Sequence, residues 1–261
     1  MLVSTWNVNG LRSASSSGFC DWLERTRPDI LCLQETKMEP DMLTDRWFDG
    51  YELNIFPAQK SGYAGTGLLI RNGFGPRQLE FGMGNDEFDK EGRVVSAEFE
   101  TFWVVNIYAP HSHRELKNLD KKARFAAALI DFLQDRMARP DGKPVILAGD
   151  FNVAFQERDV FHFANNRGNA GFHEIERNWF NDLLNLGFVD ALREITSEGG
   201  IYSWWSLLPG VREKNVGWRL DYILVDERLK GAIQHCIHST TASGSDHCPV
   251  SVSIELEALS C

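Results

Sequence analysis

The chain has 261 residues, 43% of them hydrophobic, enough for a sizeable core and typical of an ordinary globular protein. With 27 basic against 37 acidic residues its formal net charge is −10. That excludes a protein held to nucleic acid by bulk positive charge alone, but not a metal-dependent enzyme with a local basic rim. Cys20, Cys32, Cys236, Cys248 and Cys261 form no CxxC pair, no apolar run reaches the roughly 18 residues of a membrane span, and the chain opens at once on strand-like LVSTWNV. Free thiols, a reducing compartment and a soluble intracellular protein are therefore expected.

Leu2 to Val8 predict a first strand ending in the polar turn Asn7-Val8-Asn9-Gly10. The spacing of Phe19, Trp22 and Leu23 predicts a helix over Gly18 to Arg27, stopped by Pro28. Asp29 to Gln34 is an apolar run of the kind covered on both faces, and it discharges into Glu35. Tyr51 to Pro57 and Gly67 to Arg71 read as strands around a glycine-rich loop, in which Tyr63 is either a packing residue or a substrate contact. An exposed loop is expected over Phe81 to Glu91, then strands over Arg93 to Phe99 and Trp103 to Ala109, the second bringing Tyr108 to a strand end.

Apolar residues at Leu116, Leu119, Ala123, Ala126, Ile130, Leu133 and Met137 predict an amphipathic helix over Glu115 to Arg139, laid on a sheet. Val145 to Gly149 then form a buried strand running into Asp150-Phe151-Asn152. This is either a turn after a core strand or the kind of strand end where α/β enzymes keep their chemistry. Asn165 to Phe172 reads as a polar loop, and Glu174 to Leu186 as a second helix with Trp179, Leu183 and Leu186 inward, closed by Gly187. Ile201 to Leu207 carries Trp204 and Trp205, of which alternation makes Trp205 the core residue. Arg219 to Val225 is a strand with Asp221 inside it, and burying that carboxylate unpaired would cost on the order of several kcal/mol, so it requires a partner. The last strand, Pro249 to Leu256, follows Ser245-Asp246-His247. No repeat or linker divides residues 1–261, so a single domain is expected. Many consecutive strands with few helices predict two packed sheets flanked by helices rather than a doubly wound fold.

Carboxylates with amide oxygens suit a hard cation such as Mg2+, whereas zinc would call for more histidine or cysteine. Strand ends supply Asn7, Asn9, Glu35, Tyr108, Asp150, Asn152, Asp246 and His247, with Asp221 a natural orienting partner for His247. The motifs STWNVNGLR, PDILCLQETK, GYAGTG, EGRVV, GDFNVA, NAGF, KNVGWRLDYILV and GSDHCPV, spread from Ser4 to about Ile254, occur in the order found in the exonuclease III and abasic-site endonuclease family. The chain resembles that family, within the DNase I-like endonuclease/exonuclease/phosphatase superfamily.

The resemblance implies a four-layer α/β sandwich and Mg2+-dependent cleavage 5′ to abasic sites in duplex DNA, with Mn2+ able to substitute. Activity as a 3′–5′ exonuclease or on 3′ phosphates, or incision at a damaged base, comes with the same site. It gives Glu35 the metal, helped by Asn9 and Asp246. Asp150 would activate water, and His247, oriented by Asp221, would donate to the phosphoryl oxygen. Asn7, Tyr108 and Asn152 would complete a hydrogen-bonding cradle. Trp204, Trp218 and Leu220 match a pocket for a flipped, base-less sugar, Asn166 and Asn169 match loop residues lining the site, and Arg12 and Tyr63 fall on the substrate side. The partner implied is double-stranded DNA with an abasic site or damaged 3′ end, met by a monomer. Competing expectations are a phosphoesterase of phospholipid headgroups or inositol phosphates, and a silent DNA-binding member. Three departures from the family pattern bear on DNA affinity: Ser13-Ala14-Ser15-Ser16-Ser17 replaces a lysine-rich run, His111 stands where Asn or Gln is common, and His162-Phe163-Ala164 replaces a more basic stretch.

Overall fold

The computed structural model describes residues 1–39, 48–139 and 142–255. The expected strand end at Leu256 and the thiol of Cys261 lie outside them. The chain lays down β1 (Leu2–Asn7), β2 (Ile30–Gln34), β3 (Tyr51–Phe56) and β4 (Thr66–Arg71) in one sheet. It then crosses to a second sheet for β5 (Gln78–Phe81), β6 (Val94–Glu98), β7 (Trp103–Tyr108), β8 (Val145–Asp150) and β9 (Phe188–Asp190). A short ribbon follows, β10 (Trp204–Trp205) with β11 (Gly217–Trp218). Next, β12 (Asp221–Asp226) returns to the second sheet, and β13 (Ile233–His238) and β14 (Val250–Ile254) return to the first. Each main sheet has six strands, ordered β13-β14-β1-β2-β4-β3 and β5-β6-β7-β8-β12-β9.

The helices are α1 (Leu11–Ser15), α2 (Phe19–Thr26), α3 (Asp86–Asp89), α4 (Leu119–Met137), α5 (Phe163–Asn166), α6 (Glu174–Asn185) and α7 (Ala191–Ile195). Strand alternation sorts the side chains into layers. Val3, Ile30, Cys32 and Leu68 meet Val104, Ile146, Ala148 and Ile223 between the sheets. Trp6, Leu31 and Leu33 face outward onto Phe19, Trp22 and Leu23 of α2. Trp103, Val105, Leu147 and Leu224 face outward onto α4 and α6. This is the expected four-layer sandwich.

The same alternation positions the site. Each sheet has a parallel pair at its centre, β1 with β2 and β7 with β8. The inward positions climb from apolar residues through a polar layer to the strand ends. In that layer Gln34 Nε2 donates to Thr5 Oγ1 (2.9 Å) and to Asn106 Oδ1 (2.7 Å) across the gap between sheets, while Asn106 Nδ2 donates to Leu33 O and Gly67 O. Above it lie Asn7, Tyr108, Asp150 and Asp221.

The structure corrects several local expectations. Phe81 to Glu91 is not simply an exposed loop: it contains α3, capped by Asn85, with Phe88 buried against Phe125. The long helix begins at Leu119 rather than Glu115, and its buried face is Lys122, Phe125, Ala126, Leu129, Leu133 and Arg136, sharing only Ala126 and Leu133 with the expected stripe. Two cations lie inside that face because Glu176 and Glu80 pair with them, so hydrophobicity alone misplaced the stripe. Leu186 is only half-buried. Within Ile201 to Leu207 the strand is Trp204–Trp205, with Trp205 buried as its alternation requires and Leu207 78% exposed. Asp221 opens β12 rather than lying mid-strand. No helix among the described residues is long and apolar enough to cross a membrane, and Cys20, Cys32, Cys236 and Cys248 are free thiols.

Candidate active site

Three of the strand ends turn through the left-handed region at non-glycine residues, Asn9 (φ 47°), Glu35 (φ 50°) and Asn152 (φ 49°). Asparagine tolerates this backbone; glutamate does so less readily, and at Glu35 the conformation carries about 1–3 kcal/mol of strain that its surroundings must hold. The turns at Glu35 and Asn152 present side chains into one cavity of about 870 Å³ lined by Glu35, Tyr108, Asp150, Asn152, Asp246 and His247, with Trp204, Trp218 and Leu220 on one wall, while Asn9 is exposed beside it and Asn7 and Asp221 are buried behind the lining. Asn166 lines the cavity from the end of α5 and Asn169 from the loop that follows, and His111 and His113 from the loop after β7. Arg12 lies outside, on a separate shallow cleft with Lys37 and the serine run. Tyr63 also lies outside, its hydroxyl accepting from Arg93 Nη2 at 3.2 Å.

Asp150 is the buried centre. It accepts from Asn7 Nδ2 (2.9 Å), the Asn152 amide (2.8 Å) and Asn152 Nδ2 (3.3 Å). Burial, then the charge of Asp221, pushes its carboxyl up to about 7 despite those donors. His247 Nδ1 lies 2.7 Å from Asp221 Oδ2, giving Asp221 the partner its burial demands. Burial opposes a charged imidazole, but the charge and hydrogen bond of Asp221, with Asp150 and Asp246, outweigh it and push His247 up to about 10. Asp221 is held in place by its amide donating to Ser203 Oγ at 3.0 Å. The result is a carboxyl poised near neutrality beside a protonated imidazole, the pairing suited to deprotonating a nucleophile while donating to an oxyanion.

Glu35 accepts from Tyr108 Oη (2.7 Å) and Asn7 Nδ2 (3.1 Å) and pairs with Lys37 Nζ (3.0 Å). Burial works against its charge, but those three partners prevail and hold it below the usual carboxylate range. Tyr108, pushed well above the ordinary phenol by burial and then by Glu35 and Asp150, stays a neutral donor. The Lys37 ammonium also donates to Asn9 Oδ1 at 2.6 Å, so a cationic group already bridges the two oxygens of Glu35 and Asn9. Asn9 in turn donates to Asp246 Oδ1 (3.1 Å), and Trp204 Nε1 to Asp246 Oδ2 (2.9 Å). This all-oxygen set fits a hard divalent cation. Asp150, Asp221 and His247 also present ligand atoms within 4.8 Å of one another, yet an imidazole charged by Asp221 is a poor ligand, which favours the Glu35 seat.

A family model described as the Endonuclease/Exonuclease/phosphatase family matches residues 4–247. The chain belongs to the endonuclease/exonuclease/phosphatase family. Among its relatives in that family, an exodeoxyribonuclease of Bacillus subtilis is 41% identical over 98% of this chain and 100% of its own length. A DNA-(apurinic or apyrimidinic site) endonuclease of Dictyostelium discoideum is 40% identical over 98% of this chain and 71% of its length. The solved AP endonuclease of Archaeoglobus fulgidus superposes with a TM-score of 0.88 at 28% identity, covering 98% of this chain and 99% of that one. Its fold is the family sandwich described above.

Sequence reasoning missed Lys37, although it follows Glu35 within the QETK motif. It also missed Ser203 and the buried pair of Lys122 and Glu176, which no local pattern marks as belonging to the site. His113, Arg114, Glu115 and Leu116 line the cavity too, because the chain there is an irregular turn rather than the start of the helix.

Proposed function

We propose that this protein is a Mg2+-dependent DNA repair nuclease that hydrolyses the phosphodiester 5′ to abasic sites in duplex DNA, acting as an intracellular monomer. Mn2+ is expected to substitute. The observation that carries this reading is the convergence at one rim of Asp150, the Asp221–His247 pair and the Glu35 cation seat, beside an aromatic wall formed by Trp204 and its register partner Trp218. The shared apolar core between the sheets supports reading 1–261 as one domain.

In the proposed reaction the scissile phosphate lies between Asp150 and His247. Asn7 and Asn152 hold Asp150 so that it can take a proton from the attacking water. His247 donates from the ring nitrogen not used by Asp221, to the phosphoryl oxygen where charge grows. Tyr108 and Asn7 keep Glu35 ionised and aimed. Glu35, with Asn9 and Asp246, would hold Mg2+, which when bound would supply charge neutralisation at the phosphate or the leaving 3′ oxygen. Trp204, Trp218 and Leu220 provide an apolar slot for a sugar without its base; an intact base must first be unstacked and is too bulky to enter. The serine run at Ser13 to Ser17 and the −10 charge argue for weak duplex binding rather than a processive grip.

The same site supports work at 3′ ends. Among similar solved structures are a 3′–5′ exonuclease from Neisseria meningitidis (27% identical, TM-score 0.87, 98% of this chain and 100% of that one) and a Neisseria 3′ phosphatase bound to a product DNA hairpin. The deciding experiment presents the protein with duplexes bearing an abasic-site analogue, a 3′ phosphate, a recessed 3′ end or a damaged base, each with Mg2+ and with EDTA. Nicking of the abasic duplex in Mg2+ alone is expected. No cleavage at micromolar protein would overturn the reading, and faster processing of a 3′ end would change the principal substrate.

A further inference from the structure

Beneath the cavity floor is a buried ion pair that takes no direct part in the proposed chemistry. Lys122 of α4 and Glu176 of α6 are 1% exposed each, with Nζ and Oε1 2.9 Å apart. Lys122 also donates to the main-chain oxygen of Asn152. Glu176 gathers further donors: Ser112 Oγ (2.6 Å) on Oε1, and the amides of Gly171 (2.8 Å) and His173 (3.1 Å) on Oε2. Ser112 anchors the loop carrying His111 and His113, and Asn152 belongs to the turn after β8. Gly171 lies in the loop carrying Asn169 and is close enough to Trp218 that an added Cβ would stand 3.3 Å from its ring. Three cavity-lining segments outside the strand ladders, two of them also joined by the Ala154 amide donating to Gly171 O at 2.8 Å, therefore meet at two side chains.

We propose that the Lys122–Glu176 pair is a positioning unit for this site. Lys122 fixes Asn152 and thereby the amide that orients Asp150, while Glu176 sets the distance of the Gly171 and Ser112 loops from the bound DNA. Mere stability is an insufficient account of such a pair, because burying two charges costs as much as their attraction returns, and apolar replacements of buried pairs are commonly neutral or better. The two halves also act on different groups. The lysine side reaches the residue that orients the proposed base and belongs to kcat; the glutamate side reaches the walls and belongs to KM.

The proposal rests on the nuclease reading and is tested with the full chain in two ways, one of which needs no substrate. Lys122→Met combined with Glu176→Gln leaves no unpaired buried charge, so its melting temperature should stay near that of the parent. Its amide hydrogen exchange should rise about ten-fold over residues 151–155 and 169–173 while β1 and β12 are unchanged. On an abasic duplex its kcat should fall about 100-fold, the scale of a 1 Å misplacement. Ser112→Ala, which cuts one glutamate-side link but keeps the ion pair and Lys122 on Asn152, should raise KM and spare kcat. A double variant with parental exchange and parental kcat would overturn the proposal, as would a Ser112→Ala protein that loses kcat at unchanged KM. A parent that cuts no duplex sinks the nuclease reading instead, and the exchange measurement still decides whether the pair orders these loops.

Discussion

Asp150 and Asp221 are direct register partners across the antiparallel pair β8–β12, one closing its strand and the other opening its own. Two carboxylates are thus set side by side in a dry place, each with different partners. Asp221 has the imidazole of His247. Asp150 has neutral amides, and its carboxyl is pushed up to about 7 by burial and by its neighbour's charge.

The pH profile follows. kcat/KM should rise as Asp150 ionises through about 7 and fall as His247 loses its proton near about 10. Asp221 raises both groups, since its charge disfavours a carboxylate and favours an imidazolium. Asp221→Asn should therefore move both arms to lower pH and, by removing the orienting partner, lower the plateau by about 10²–10⁴-fold. Profiles of parent and variant check this; an unmoved upper arm would remove His247 from the role of acid.

Metal affinity should track the charge at the Glu35 seat. Glu35→Gln removes the ionised oxygen that now faces Lys37, so the Mg2+ concentration for half-maximal activity should rise by about ten-fold or more. Asn9→Asp adds a carboxylate next to it and should lower that concentration. Isothermal titration with Mn2+ gives the same comparison without turnover, and equal affinity in all three proteins would relocate the cation.

Gly149, the residue before Asp150, has a φ of +150° and a missing Cβ that would stand 2.0 Å from the Ile107 carbonyl oxygen. Gly149→Ala should therefore destabilise the protein by about 2–6 kcal/mol through overpacking and backbone strain together. Since β7 and β8 are neighbours in the sheet, the same change should displace Asp150 and depress activity well below the melting temperature. Chemical denaturation and a kcat measurement at low temperature separate the two effects, and a parental midpoint would contradict the close approach.

The layered fold was legible in the chain because strand alternation and helical spacing are local, and the strand ends of β1, β2, β7 and β8 announce themselves where an apolar run stops at Asn7, Glu35, Tyr108 or Asp150. Motif order carried the family. What stayed hidden has one cause: it depends on residues far apart in sequence. The face of α4 could not be read because burying Lys122 and Arg136 is possible only when Glu176 and Glu80 arrive from other elements. Asp221 was visibly in need of a partner, but its place opposite Asp150 required the register of β12 on β8. Arg12 and Tyr63 belong to family motifs yet lie outside the cavity, because motif membership does not say which surface a side chain faces. The sequence alone determined which groups are available for the chemistry. Only the packing of two sheets decided which of them share a low-dielectric space, and there a distance of a few ångströms sets the protonation of Asp150 and His247.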